Sequence, residues 1–98
     1  MNARRKTPPA PPRPRNPYVA ALARVMRVQR EGLFITQQRA SGRVGMAQQQ
    51  WNRLEAGRQK DVTISCFVSV AAALEVRAAE LMTLVEHEIR SRPEEYNS

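Results

Sequence analysis

The sequence predicts a small all-α domain, and three observations carry that expectation. Apolar residues recur at three- and four-residue spacing through most of the chain beyond Pro17, no stretch alternates with the two-residue period of a half-buried strand, and capping and helix-ending residues punctuate the pattern at short intervals. A chain of 98 residues has room for one core. The expected layout is an arm over residues 1–16, a compact helical domain over 17–92 and a tail over 93–98.

The arm is set apart by composition. Pro8, Pro9, Pro11, Pro12, Pro14 and Pro17 are interleaved with arginine, so the segment can neither donate a ladder of hydrogen bonds nor bury apolar surface. Disorder or extended polyproline II is expected there. Asn16 followed by Pro17 then reads as an N-cap with proline at the first helical position. Val19, Leu22, Met26 and the more distant Leu33 predict one buried face for the first helix, Arg24, Arg27 and Arg30 project elsewhere, and Gly32 stops it.

Thr36 is placed to cap a second helix, Gln37 to Val44, which ends at Gly45. A third helix follows almost at once, from Ala47 or Gln48 to Glu55, and terminates at Gly57. Trp51 and Leu54 lie on one side of it; Gln48, Gln49, Asn52 and Arg53 lie on the other. Thr63 can cap a fourth helix with Ile64, Phe67, Val68, Ala71 and Leu74 at core-facing spacing. A fifth, from about Arg77 to Ile89, carries Leu81, Met82, Leu84, Val85 and Ile89, a stripe wider than a lone surface helix needs, and Pro93 marks its end.

The net charge of +7 and a pI near 11 call for a polyanionic partner, nucleic acid first and an anionic membrane second. The charge is uneven: Met1 to Pro17 carries +5, Tyr18 to Lys60 carries +6, and Asp61 onward carries −4. The first sixty residues are therefore the polyanion-facing part, and the arm reads either as a flexible tail or as a basic strand lying along phosphates or entering the minor groove. Cys66 is the only cysteine, which excludes an intrachain disulfide and a multi-cysteine zinc site. It fits a reducing cytoplasm. The apolar runs are far shorter than the roughly 20 residues of a membrane span, and no signal peptide is evident. His87, flanked by Glu86 and Glu88 on other helix faces, does not build a metal site; no catalytic constellation assembles, and neither enzyme activity nor a cofactor is expected.

Two short helices joined by a turn at Gly45 form the local geometry in which one helix crosses the DNA backbone and the next enters the major groove. Glutamine and asparagine can bond bidentately to adenine and arginine to guanine, so Gln48, Gln49, Asn52 and Arg53 are the candidate base-reading residues. The stretch ITQQRASGRVGMAQQQWNRLEAG, Ile35 to Gly57, resembles the phage Cro and repressor type of helix-turn-helix domain, the XRE family. It shares an apolar residue, Thr-Gln, a helix, glycine, a helix with apolar positions and a closing Leu-Glu-x-Gly. AAALEVRAAEL, Ala71 to Leu81, is similar to the family's end of a fourth helix and start of a fifth, and the likeness covers about Tyr18 to Val85.

The resemblance implies a five-helix lambda-repressor-like domain with its motif at 36–57, acting as a sequence-specific transcriptional regulator in the cytoplasm, at the nucleoid. It implies that Gln37 contacts a phosphate or braces the recognition helix, that Gln48, Gln49, Asn52 and Arg53 face the groove, and that Arg58 and Lys60 touch the backbone. The alternative on the same fold is an antitoxin-like or adaptor module that holds a protein partner through the C-terminal helix or the arm. The stripe on the fifth helix either completes the monomer's core or pairs two copies through Met82, Val85 and Ile89, giving a homodimer that reads a palindromic operator.

Departures from the family pattern are also visible. Ala40 and Ser41 replace a larger aliphatic residue and an alanine, Gly42 sits inside the second helix, Ala47 replaces the usual Ser or Thr cap, and the loop before Thr63 is one residue longer. The second helix is expected to be the weak element. Trp51 stands where Ile or Val is usual, and its volume is expected to fill the space left by Ala40.

Overall fold

The structure is a computed structural model that describes residues 16–96, so the expectations for the arm before Asn16 and for the last two residues lie outside the described part. The chain forms α1 (Pro17–Gly32), α2 (Gln37–Gly42), α3 (Gln48–Glu55), α4 (Ile64–Ala73), α5 (Ala78–Ser91) and α6 (Pro93–Tyr96). Among the described residues every regular element is helical. The sixth helix replaces the expected tail. Pro93 ends α5, but its fixed φ suits the first position of a new turn, and Glu94 and Glu95 complement that turn's positive end.

The helix starts follow local side-chain chemistry. Asn16 Oδ1 accepts from the Tyr18 N–H at 2.9 Å, Thr36 Oγ1 from Arg39 at 3.0 Å and Thr63 Oγ1 from Cys66 at 3.1 Å. At α5 the Glu80 carboxylate accepts from the Arg77 N–H at 3.1 Å. Helix α3 begins with neither kind of cap, because Ala47 has no side-chain acceptor.

The helix ends correct one expectation. Gly32 is the last helical residue of α1, and the left-handed corner falls instead on Phe34, at φ 58°. There the Phe34 and Ile35 N–H groups bond back to the carbonyls of Glu31 and Arg30. Glu75, at φ 63°, closes α4 in the same way, with bonds from Glu75 and Val76 to Ala72 and Ala71, and Gly57 does so for α3. Phe34 is 94% exposed, so no packing offsets its strain. Helix α2 ends at Gly42 rather than Val44, and Gly45 makes the left-handed turn at φ 66°.

Helix α1 is the spine, packing chiefly against α5 and α3. From its buried face, Ala21, Leu22, Val25 and Met26 join Ala40, Trp51, Leu54, Val70, Ala71, Leu74, Leu81 and Val85 in one core. Ala40 and Trp51 are both fully buried in it. For α4 the expected face is rotated: Val70, Ala71, Ala73 and Leu74 are buried, Phe67 is half-buried, and Ile64 and Val68 are exposed, Ile64 by 82%. This helix is apolar on nearly all sides, so its periodicity has no phase to report. Val85, expected at a subunit contact, is buried in the monomer and has no side-chain surface to give a partner; Ile89 packs partly against the core, while Met82 is exposed.

Arg30 does not project away from the core. It turns inward onto Glu55, donating from Nε at 2.6 Å and from Nη2 at 3.0 Å, while its Nη1 bonds the Ile35 carbonyl at 2.9 Å. Glu55 also accepts from the Trp51 indole N–H, on Oε2 at 2.6 Å, and from Gln37 Nε2, on Oε1 at 3.0 Å. The buried carboxylate thus has two donors on each oxygen. Burial alone would raise its pKa, but the hydrogen bonds from Arg30, Gln37 and Trp51 and the charge of Arg30 outweigh that and hold it below the ordinary range. A second junction lies at Glu88, which receives Arg24 at 3.2 Å, Arg92 at 3.4 Å and the Tyr96 hydroxyl at 2.8 Å, fastening α6 to α1 and α5.

Phe34→Gly and Gly42→Ala should each raise the unfolding free energy by roughly 0.5–1 kcal/mol, since the first relieves a left-handed phenylalanine and the second places a methyl where nothing lies within 4 Å. Gly45→Ala should do the reverse, and a lowered urea midpoint for either of the first two would refute the account. Arg30→Ala should cost about 3–5 kcal/mol, because it strands a buried charge. The Glu55 contribution is complete above the unfolded-chain pKa of about 4.3 and is lost as pH falls through the lower native value. The wild type should therefore lose its advantage over Glu55→Gln in urea titrations as pH falls from about 5 through the depressed native value; an unchanged gap would count against the ionised junction.

Candidate nucleic-acid interface

Helix α3 has one face locked and one face open. Trp51, Leu54 and Glu55 are buried, while Gln48, Gln49, Asn52 and Arg53 are exposed. Those four residues, together with Arg58 from the following loop, line one open concavity of about 460 Å³. The side chains marked as base-reading by sequence are thus brought together, with one of the two expected backbone-contacting bases beside them. Lys60 is exposed but does not line the concavity. Gln50, the third of the consecutive glutamines, turns the other way, its Nε2 lying 3.9 Å from the Cys66 sulfur.

Gln37 sits behind this face and braces it. One amide hydrogen goes to Glu55 Oε1 at 3.0 Å, and the amide oxygen accepts from Asn52 Nδ2 at 3.1 Å. In the free protein Gln37 thus bridges Glu55 and Asn52 of α3, and its second N–H remains for another acceptor. Glu55, Arg30 and the Trp51 indole support this face, a role that the sequence pattern assigned to none of them. The signal available was the closing Leu54-Glu55 pair, whose glutamate follows a tryptophan by one helical turn.

The electrostatics divide the bases into two groups. Arg24, Arg30, Arg43 and Arg92 are paired with acids, Arg43 lying 2.9 Å from both Glu75 and the Ala73 carbonyl. Among the described residues, Arg27, Arg39, Arg53, Arg58, Lys60, Arg77 and Arg90 make no ion pair, and four of these seven lie on α2, on α3 or in the loop after α3. The first N–H groups of α3 lack a side-chain cap and point the same way as the helix's positive end.

Other chemistry is sparse. Burial pushes the Cys66 thiol up from its ordinary pKa, which keeps it protonated at neutral pH. Among the described residues no three His, Cys, Asp or Glu side chains converge as metal ligands, and no helix is long and apolar enough to cross a membrane. A separate depression of about 210 Å³ lies between the starts of α1 and α4 and the middle of α5, lined largely by apolar side chains including Tyr18, Val19, Leu22, Phe67 and Met82. Comparison with protein-family models, with curated proteins and with solved structures finds no match.

Proposed function

We propose that this chain is a lambda-repressor-like, sequence-specific double-stranded DNA-binding protein of the Cro and repressor type. It sets α3 in the major groove and α2 across the backbone, and acts as a transcriptional regulator at the nucleoid. The observation that carries this reading is the concavity in which Gln48, Gln49, Asn52 and Arg53 converge beside Arg58. Amides and a guanidinium match the hydrogen-bonding edges of base pairs, and the unneutralised Arg39, Arg58 and Lys60 suit the phosphates on either side. The reading assigns no enzymatic step and no cofactor.

One helix of eight residues reads few base pairs, so a symmetric pair of subunits is the natural working unit on a palindromic operator. With Val85 enclosed, such pairing falls to the exposed Met82 side of α5 and the neighbouring Ile64. The second reading, an antitoxin-like or adaptor module, is favoured by that same apolar depression, which suits a protein partner better than a nucleic acid.

Selection of random duplexes by the purified protein should return a defined half-site, whereas purely length-dependent binding would favour the interaction module. Gln49→Ala or Arg53→Ala should relax preference at single positions by about 1–3 kcal/mol. Arg58→Ala or Lys60→Ala should weaken all sequences alike and lower the salt slope by about one. In sedimentation, Met82→Asp should shift the protein toward monomer; a wild type already monomeric at high micromolar concentration would refute the dimer.

A further inference from the structure

The amide of Asn52 has only one workable orientation, and that orientation selects a base. The constraint begins at Glu55, whose ionised carboxylate can only accept hydrogen bonds. Gln37 lies 3.0 Å from it and must therefore present its NH2 group, which turns its carbonyl oxygen toward Asn52. A carbonyl cannot donate either, so Asn52 must present Nδ2 across the 3.1 Å gap. Reversing Asn52 would set two acceptor oxygens against each other. Its Oδ1 and one remaining N–H are what it has to offer a ligand.

We infer that Asn52 reads adenine, and that Gln37 and Glu55 are the positioning residues that set its polarity; the inference rests on the DNA-binding reading above. Adenine offers an N6 donor and an N7 acceptor on its major-groove edge, matching the acceptor and donor that Asn52 retains. Guanine offers two acceptors there and thymine offers an O4 acceptor and a methyl group, so both leave Oδ1 without a partner. Cytosine satisfies Oδ1 through N4 but leaves the N–H unmatched. Gln48 and Gln49 have no such restraint: their side-chain amides make no hydrogen bond among the described residues and can turn to suit either edge. Asn52 is thus the position at which preference is built in before DNA arrives.

The test compares selected half-sites for the full-length wild type, Asn52→Ala, Gln37→Met and the double variant, with binding to matched duplexes carrying adenine or guanine at the affected position. Wild type should prefer adenine there by about tenfold, a difference in the range of one bidentate base contact. Asn52→Ala should abolish that preference. Gln37→Met, which keeps side-chain length but removes donor and acceptor, should reduce it at the same position and leave the rest of the half-site intact, with no further loss in the double variant. If Gln37→Met lowers affinity for every sequence while adenine preference persists, Gln37 only supports the fold and the inference fails. NMR of the free protein supplies an independent readout: the Asn52 side-chain NH2 resonances should move in Gln37→Met, and unmoved resonances in a folded variant overturn the relay. A wild type that selects no sequence overturns the DNA-reading proposal, and the adenine assignment with it, even if the resonances show the relay intact.

Discussion

The carboxylate of Glu55 gathers donors from three helices: Arg30 at the end of α1, Gln37 at the start of α2 and Trp51 one turn earlier on α3. Arg30 also holds the Ile35 carbonyl, so the corner between α1 and α2 is tied to the same point. Burying an ion pair contributes little net stability compared with well-packed apolar residues, because desolvation offsets most of the attraction. What it adds is geometry. A fork of two N–H groups on a carboxylate tolerates little rotation, so the angle between α1 and α3, and with it the direction in which α3 shows its open face, is tied to one side chain.

That dependence is sharpened by how little else holds α2. Six residues are too few to be helical alone, and Gly42 weakens the last turn further. Its support is tertiary. Ala40 is packed without exposure in the core, Arg43 reaches across to the end of α4, and Gln37 bonds Glu55. Trp51 has two duties in this arrangement, since its ring is fully buried in the core and its N–H completes the Glu55 shell. An aliphatic residue there could fill space but could not donate.

What the sequence made legible was local. Asn16-Pro17, Thr36 and Thr63 start helices because their oxygens reach an N–H two or three residues away, and any reader of the chain can see that distance. The open face of α3 was legible because its two sides differ so sharply in polarity. The rest needed contacts far apart in the chain. Arg30 and Glu55 are separated by 25 residues, and a charged residue read by itself defaults to solvent. The apolar surround of α4 hid which side faces inward, and Val85 in a continuous stripe could not be told from Met82 one helical turn away. The left-handed phenylalanine gave no signal either, since glycine two residues earlier was the residue expected to make the corner.

The charge count changes meaning once these pairings are known. The +6 assigned to Tyr18 through Lys60 includes Arg24, Arg30 and Arg43, which lie against Glu88, Glu55 and Glu75. Two of those acids lie in the C-terminal part of the chain, so its negative charge is spent in part on fastening the fold rather than on repelling a polyanion. The bases without partners include Arg39 on α2, Arg53 on α3 and Arg58 and Lys60 after it. A net charge distributed at random would attract nucleic acid from every side with no preferred docking. Arg27 on α1, Arg77 before α5 and Arg90 on α5 are unpaired as well, so the unneutralised charge is weighted toward α2, α3 and the following loop without being confined there, and under the proposed function that weighting favours the approach of DNA to the side of α3.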